Sequence, residues 1–116
     1  DSSGNSYSQA LEVRGFKKLV FVSGQIPTDE NGNVPADFSS QCLLVWKNIE
    51  SQLKNANLGL SNIIKVNTYL SDRRYREENF TIRHQVLGAH QPALTVIIAD
   101  IYDRDWLLEI EVIAAE

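Results

Sequence analysis

Two glutamates near the end of the chain, in the run LLEIEV, are spaced so that their carboxyl groups could act together in proton transfer. Alternate side chains of a β-strand point to opposite faces, so Glu109 and Glu111 share one face and the aliphatic residues between them share the other. Such a face is often simply solvated. If it meets another subunit, desolvation raises a carboxyl pKa toward neutrality, where the group can hold a water molecule and exchange protons with a substrate. The pattern alone leaves both interpretations open.

The other residue types that commonly act in catalysis or metal binding do not occur at the spacings that such sites require. The sequence has no P-loop, no dinucleotide-binding glycine motif, and no HExxH or CxxC motif. His84 and His90 are six residues apart, which is a poor spacing for metal ligands on a helix. Cys42 falls on the apolar face of a predicted helix, where a core thiol is favoured over a nucleophile. We therefore predict neither a metal nor a cofactor.

Length, composition and charge indicate a single globular domain. The chain has 116 residues, of which 43% are hydrophobic and 22% charged, and these values are ordinary for one soluble domain. The net charge of −4 argues against a nucleic-acid-binding protein. No apolar run is long enough to span a membrane and no secretory signal pattern is visible, so we expect no membrane association and a cytoplasmic location. We predict one domain over residues 1–116, with a polar N-terminal tail at residues 1–6.

The hydrophobic pattern predicts the elements that must position the glutamates. Apolar spacings of three and four predict a helix over residues 36–56, and Ser71-Asp72 can cap a second helix that ends before Pro92. Two helices can cover only one face of a sheet, so the chain should form a two-layer α+β domain. Strands are indicated at residues 7–13, 18–24, 63–70, 93–101 and 106–115, with a short strand at 33–34.

One predicted strand, ALTVIIADI at residues 93–101, implies an oligomer. It is apolar on both faces, and a strand of this kind is normally buried on both sides. Because the two predicted helices cover only one face of the sheet, a second subunit is the simplest cover for the other face.

Several motifs together resemble the YjgF/Rid family of enamine/imine deaminases, also named endoribonuclease L-PSP. They occur in the order YSQALEV, VFVSGQIP, QCLLVWKNIESQL, IIKVNTYLSD, QPALTV and LLEIEVIA, from Tyr7 almost to the C-terminus. The resemblance implies a chorismate mutase-like fold, in which a mixed sheet carries two helices on one face. It also implies a homotrimer with small-molecule sites in the clefts between subunits.

The resemblance also implies which residues form the site. Glu109 matches the glutamate that positions the hydrolytic water, and Tyr7 matches the site tyrosine. The remaining residues implied to bind the substrate are Ser23, Gly24, Asn79, Leu94 and Thr95.

One site position departs from the family pattern. Active deaminases of the family typically carry Pro-Ala-Arg, whose arginine forms a bidentate clamp on the substrate carboxylate, whereas this chain has Pro92-Ala93-Leu94. Leucine cannot bind a carboxylate. We therefore predict hydrolysis of an imine or enamine other than the standard 2-imino acids. A non-catalytic ligand-binding or regulatory trimer is the alternative, and the acidic balance disfavours an endoribonuclease.

Overall fold

A computed structural model describes residues 7–116, and the tail predicted at residues 1–6 lies outside the described residues. Single-turn 3₁₀ helices precede the second strand and the second α-helix of this region. In chain order, its strands and α-helices are β1 (Leu19–Gln25), α1 (Phe38–Asn55), β2 (Ile63–Leu70), α2 (Arg76–Leu87), β3 (Ala93–Ile98) and β4 (Leu108–Ala115).

The strands form a mixed sheet in the order β1-β4-β2-β3. β4 runs antiparallel to both β1 and β2, whereas β3 runs parallel to β2. The parallel pair requires a crossover connection, and α2 supplies it. Only alternate residues of β4 are fully buried, and they pack with the apolar residues of both helices in one core. The predicted two-layer α+β fold, a mixed sheet with two helices, is confirmed.

Helix α1 forms where its apolar spacing predicted a helix. Its N-cap, Asp37, accepts a hydrogen bond of 2.9 Å from the backbone N–H of Ser40, which satisfies one of the free donors of the first turn. The apolar stripe lies in the core, with Cys42, Val45 and Ile49 fully inaccessible to solvent. The first residue of the helix is Phe38 rather than the predicted Ala36, because the cap at Asp37 sets the start.

The strand predicted at residues 7–13 is wrong. Only Ser8 makes a bridge, to Ala93 of β3, with its N–H donating to the carbonyl of Pro92 (2.8 Å) and its hydroxyl donating to the carbonyl of Gln91 (2.6 Å). The predicted hairpin between this segment and β1 does not form. The physical reason is that the two hydrogen bonds of Ser8 hold the N-terminal segment beside β3, at the edge of the sheet opposite β1.

Other elements also differ from the pattern-based predictions: β3 ends at residue 98 rather than 101, and β4 begins at residue 108 rather than 106. No strand forms at residues 33–34, because the side chain of Asp29 accepts hydrogen bonds from the N–H groups of Asn31 and Asn33, each 2.9 Å long, and holds a loop. The predicted helix cap at Asp72 is used by a 3₁₀ turn, whose Arg74 N–H donates to it, and α2 begins at Arg76.

Gln41 connects α1 to the strand that carries both glutamates. Its side chain is 1% exposed, and its amide nitrogen donates to the carbonyls of Pro35 (2.8 Å) and Asp105 (2.9 Å). Its amide oxygen accepts from the N–H of Leu107, 2.8 Å away, immediately before β4. Because the Gln41 side chain is buried, these hydrogen bonds satisfy its polar atoms and fix where β4 begins.

Candidate active site

The two glutamates of β4 share one face of the strand, as the alternation predicts. Leu108, Ile110 and Val112 are buried beneath the helices, while Glu109 and Glu111 are half-buried on the opposite side. We call that side of the sheet the open face. Its residues on β2 and β4 include Lys65, Asn67, Tyr69, Glu109 and Glu111.

Glu109 lies directly over Gly24 of β1. A Cβ atom on Gly24 would stand 1.9 Å from Oε2 of Glu109, so only glycine leaves room for the carboxylate at this point. Partial burial raises the pKa of Glu109, and the charge of Glu111 raises it further. Both effects favour the protonated carboxyl group, which can exchange its proton with a substrate.

Glu111 is held by two donors from β2. The hydroxyl of Tyr69 donates to Oε1 of Glu111 at 2.5 Å, and the amide of Asn67 donates to the same oxygen at 3.2 Å. The hydrogen bond to Glu111 stabilises the neutral phenol and raises the pKa of Tyr69. The sequence analysis missed both β2 residues. Their alternation in IIKVNTYL was visible, but the pairing of β2 with β4 was not.

A hollow next to these residues is open at the edge of the sheet. It is lined by Tyr69, Ala99, Asp100, Ile101, Glu109 and Glu111. Ser23 lies in a neighbouring depression that also contacts Asn67 and Glu111. Thr95 lies on the open face too, where its hydroxyl accepts a 2.9 Å hydrogen bond from Lys65. The open face thus brings together Glu109, Gly24, Ser23 and Thr95 of the predicted site.

The remaining predicted residues lie on the helix side of the sheet. Leu94 pairs with Val66 of the core face and packs against the core. Asn79 of α2 is 3% exposed, and its side-chain oxygen is 4.0 Å from the sulfur of Cys42. Tyr7 precedes the Ser8 bridge to β3 and lies near Arg83 of α2. We call Tyr7, Asn79, Arg83 and Leu94 the helix-side group.

Arg83 is a member of the helix-side group that the sequence analysis missed. It is 4% exposed and lies one helical turn after Asn79, and this i, i+4 spacing was the signal that could have identified it. Burial lowers the pKa of its guanidinium, while the nearby side chains of Tyr7 and Cys42 oppose that shift. Burial raises the pKa of Cys42 to about 12, so the thiol is a core group and not a nucleophile.

The predicted site therefore divides into two groups on opposite faces of the sheet of one chain. Glu109 belongs to the open face, whereas Tyr7 and Leu94 belong to the helix-side group. One cleft can contain both groups only if two copies of the chain contribute to it, because the sheet itself separates them.

The histidines take part in packing rather than in a cluster of ligands. The ring of His84 stacks on Phe80 with centroids 6.1 Å apart, and Nε2 of His90 lies 2.6 Å from the carbonyl oxygen of Ile63. Among residues 7–116, no three His, Cys, Asp or Glu side chains come together in a way that could hold a metal ion. Over the same residues, neither helix has the length and apolarity needed to cross a membrane.

Sequence comparison connects these features to known proteins. A family model described as Endoribonuclease L-PSP matches residues 2–116. The chain is 36% identical to the mitochondrial protein MMF1 of Saccharomyces cerevisiae over 112 residues, which cover 96% of this chain and 75% of that protein. It is 31% identical to TdcF of Escherichia coli, provisionally named a reactive intermediate deaminase, over 83% of this chain and 78% of TdcF.

Structural comparison gives the same result. The crystal structure of Escherichia coli TdcF with bound serine matches with a TM-score of 0.81 and 28% identity, covering 95% of this chain and 87% of that one. YyfB from Yersinia pestis, a Rid-family protein of unknown function, matches with a TM-score of 0.87 over 96% of this chain and 87% of its own. At 20% identity, the second match shows the fold alone.

Proposed function

Because this chain belongs to the endoribonuclease L-PSP family, also called YjgF/Rid, we propose that it hydrolyses a small imine or enamine at a site shared between subunits. The observation that carries the proposal is the placement of Glu109, a half-buried carboxyl group of raised pKa lying over a glycine. One relative supports the class of ligand and reaction. TdcF is provisionally named a reactive intermediate deaminase, and its crystal structure contains bound serine.

In the proposed reaction, Glu109 holds a water molecule beside the C=N carbon. It gives its proton to the imine nitrogen and, as a carboxylate, takes a proton from the water as the oxygen bonds to carbon. The carbinolamine then breaks its C–N bond, so that one imine and one water give one carbonyl compound and one ammonia. Tyr7, contributed by the neighbouring subunit, closes the cleft over the substrate.

The proposed assembly is a homotrimer that covers the open face and the edge strand. Phe21 on the open face is 69% exposed, and Val96, Ile97 and Ile98 of β3 are 37%, 47% and 39% exposed. Apolar side chains grouped in this way on an isolated chain indicate a surface that another subunit covers. A trimer also supplies the second copy that the divided site requires.

We expect the purified protein to sediment as a single trimeric species at micromolar concentration. The driving force is burial of the exposed apolar residues of β1 and β3, at about 25 cal/mol per Å² of apolar area. Sedimentation velocity or light scattering measures the mass directly. Replacing Ile97 with Asp should weaken the assembly, whereas the same change at the exposed Leu43 on α1 should not. A monomer at that concentration would contradict the proposed site as well.

The proposed substrates exclude the standard 2-imino acids, because Leu94 replaces the clamping arginine. We expect 2-iminopropanoate and 2-iminobutanoate, generated in situ by an amino-acid oxidase, to be hydrolysed slowly. Losing a charge-assisted pair of this kind costs about 2–5 kcal/mol, which lowers turnover by roughly one and a half to nearly four orders of magnitude. Leu94→Arg should increase hydrolysis of these acids, and Leu94→Gln, which is polar but uncharged, should not. Rapid turnover by the unaltered protein would show that another cation binds the carboxylate.

The experiment that tests the proposed function measures ammonia release from a panel of imines. Half of the panel carries a carboxylate beside the C=N bond and half carries only apolar or uncharged groups, and each imine is compared with its spontaneous hydrolysis. Acceleration of the uncharged imines supports the proposal. Leu94 also favours a second function, a non-catalytic ligand-binding trimer, and that function is indicated if panel compounds or their carbonyl products bind without any acceleration.

A further inference from the structure

Glu109 and Glu111 occupy different environments although they share one face of β4. Glu111 accepts two hydrogen bonds on a single oxygen, from the hydroxyl of Tyr69 and the amide of Asn67. These two hydrogen bonds hold the Glu111 side chain in one position on the open face. Glu109 instead lies against the backbone of Gly24, where burial disfavours a charge. One carboxyl group is therefore held in place by donors, whereas the other lies where its protonated form is favoured.

We propose that Glu111, held by Tyr69 and Asn67, is a positioning residue whose fixed place beside Glu109 makes Glu109 the proton-carrying member of the pair. This inference rests on the proposed function, since it assigns Glu109 the protonated state needed to give a proton to the imine nitrogen. The substrate class that follows is an imine basic enough to be activated by protonation. Glu111 does not contact the substrate in this scheme.

The charged groups around the pair are consistent with this division. From β2, Tyr69 faces Glu111, and Lys65 directs its amino group to the hydroxyl of Thr95, 2.9 Å away. From β1, Ser23 and Gly24 contribute no charge. The segment after β3 contributes Asp100, which lines the same hollow as both glutamates. Besides burial, the charge of Glu111 raises the pKa of Glu109.

The test is a pH titration of the glutamate carboxyl groups by NMR, with the Glu109 signal assigned from the Glu109→Gln variant. In Glu111→Gln, the proton affinity of Glu109 should fall by about threefold to tenfold, because a neighbouring negative charge is removed. Tyr69→Phe should lower the proton affinity of Glu109 by a smaller factor, because Glu111 stays in the protein but loses one of the two hydrogen bonds that position its side chain. Glu50→Gln, on the exposed side of α1, is the matched control and should leave the titration of Glu109 unchanged.

The result that overturns the inference is an unchanged Glu109 titration in Glu111→Gln, or a wild-type protein in which Glu111 titrates at higher pH than Glu109. The titration requires no turnover, so it separates this inference from the proposed function. A shifted Glu109 in a protein that hydrolyses no imine contradicts only the function. If the protein hydrolyses an imine, kcat should decline at high pH, and Glu111→Gln should move this decline to a lower pH. A purely structural role of Glu111 would not change the pH of the decline.

Discussion

Glu109→Gln should reduce imine hydrolysis by about 10²–10⁴-fold, the usual contribution of a general acid or base. Glutamine keeps the size and shape of the side chain over Gly24, so the loss follows from the missing proton transfer and not from repacking. The measurement is ammonia release under single-substrate conditions, with Glu50→Gln as the control for a lost surface charge. Retention of more than a tenth of the wild-type rate would mean that the acidic face of β4 is merely a solvated surface.

The same substitution has an expected effect on stability, whose sign follows from the pKa of Glu109. Folding raises that pKa, so the folded state binds the proton more tightly than the unfolded chain does. The ionised carboxylate therefore destabilises the fold, and this effect grows as pH rises from the unfolded pKa to the folded pKa. Glu109→Gln should accordingly raise the Tm at neutral pH and leave it little changed at low pH, where the wild-type carboxyl group is already protonated.

Mixing two inactive variants should restore activity if the site is shared between subunits. Glu109→Gln lacks the open-face group and Tyr7→Ala lacks the helix-side group, and we expect each alone to hydrolyse imines poorly. After unfolding and joint refolding in equal amounts, the mixture should regain about a quarter of the wild-type activity. The reason is that random assembly of trimers pairs the two intact halves at about one interface in four.

A matched mixture controls for recovery by refolding alone. Gly24→Val also damages the open-face group, because a Cβ at this position would stand 1.9 Å from Oε2 of Glu109. Mixing Gly24→Val with Glu109→Gln therefore leaves every interface with a damaged open-face half and should restore nothing. Equal recovery in both mixtures would mean that refolding, and not a shared site, restores the activity. No recovery in either mixture despite normal trimers would mean that a single chain forms the site.

Much of the fold was predictable because it depends on local periodicity. The stripe that contains Cys42, Val45 and Ile49 predicted α1, alternation predicted β2 and β4, and dense apolar runs predicted β1 and β3. The strand predicted at residues 7–13 failed because alternation shows only that a segment could pair, not which contacts hold it elsewhere. In this fold, the hydrogen bonds of Ser8 hold that segment beside β3, at the edge of the sheet opposite β1.

For the candidate site, the shared face of Glu109 and Glu111 could be predicted from the sequence, because side chains alternate between the two faces along any β-strand. The resemblance to known proteins added Tyr7, Gly24 and Leu94 as site positions. Three other relations are visible only in the tertiary structure. Tyr69 donates a hydrogen bond to Glu111, and Gly24 lies beneath Glu109. Leu94 and Glu109 lie on opposite faces of the sheet. These relations arise from pairing between strands far apart in sequence, whose register is set by the packing of the whole core.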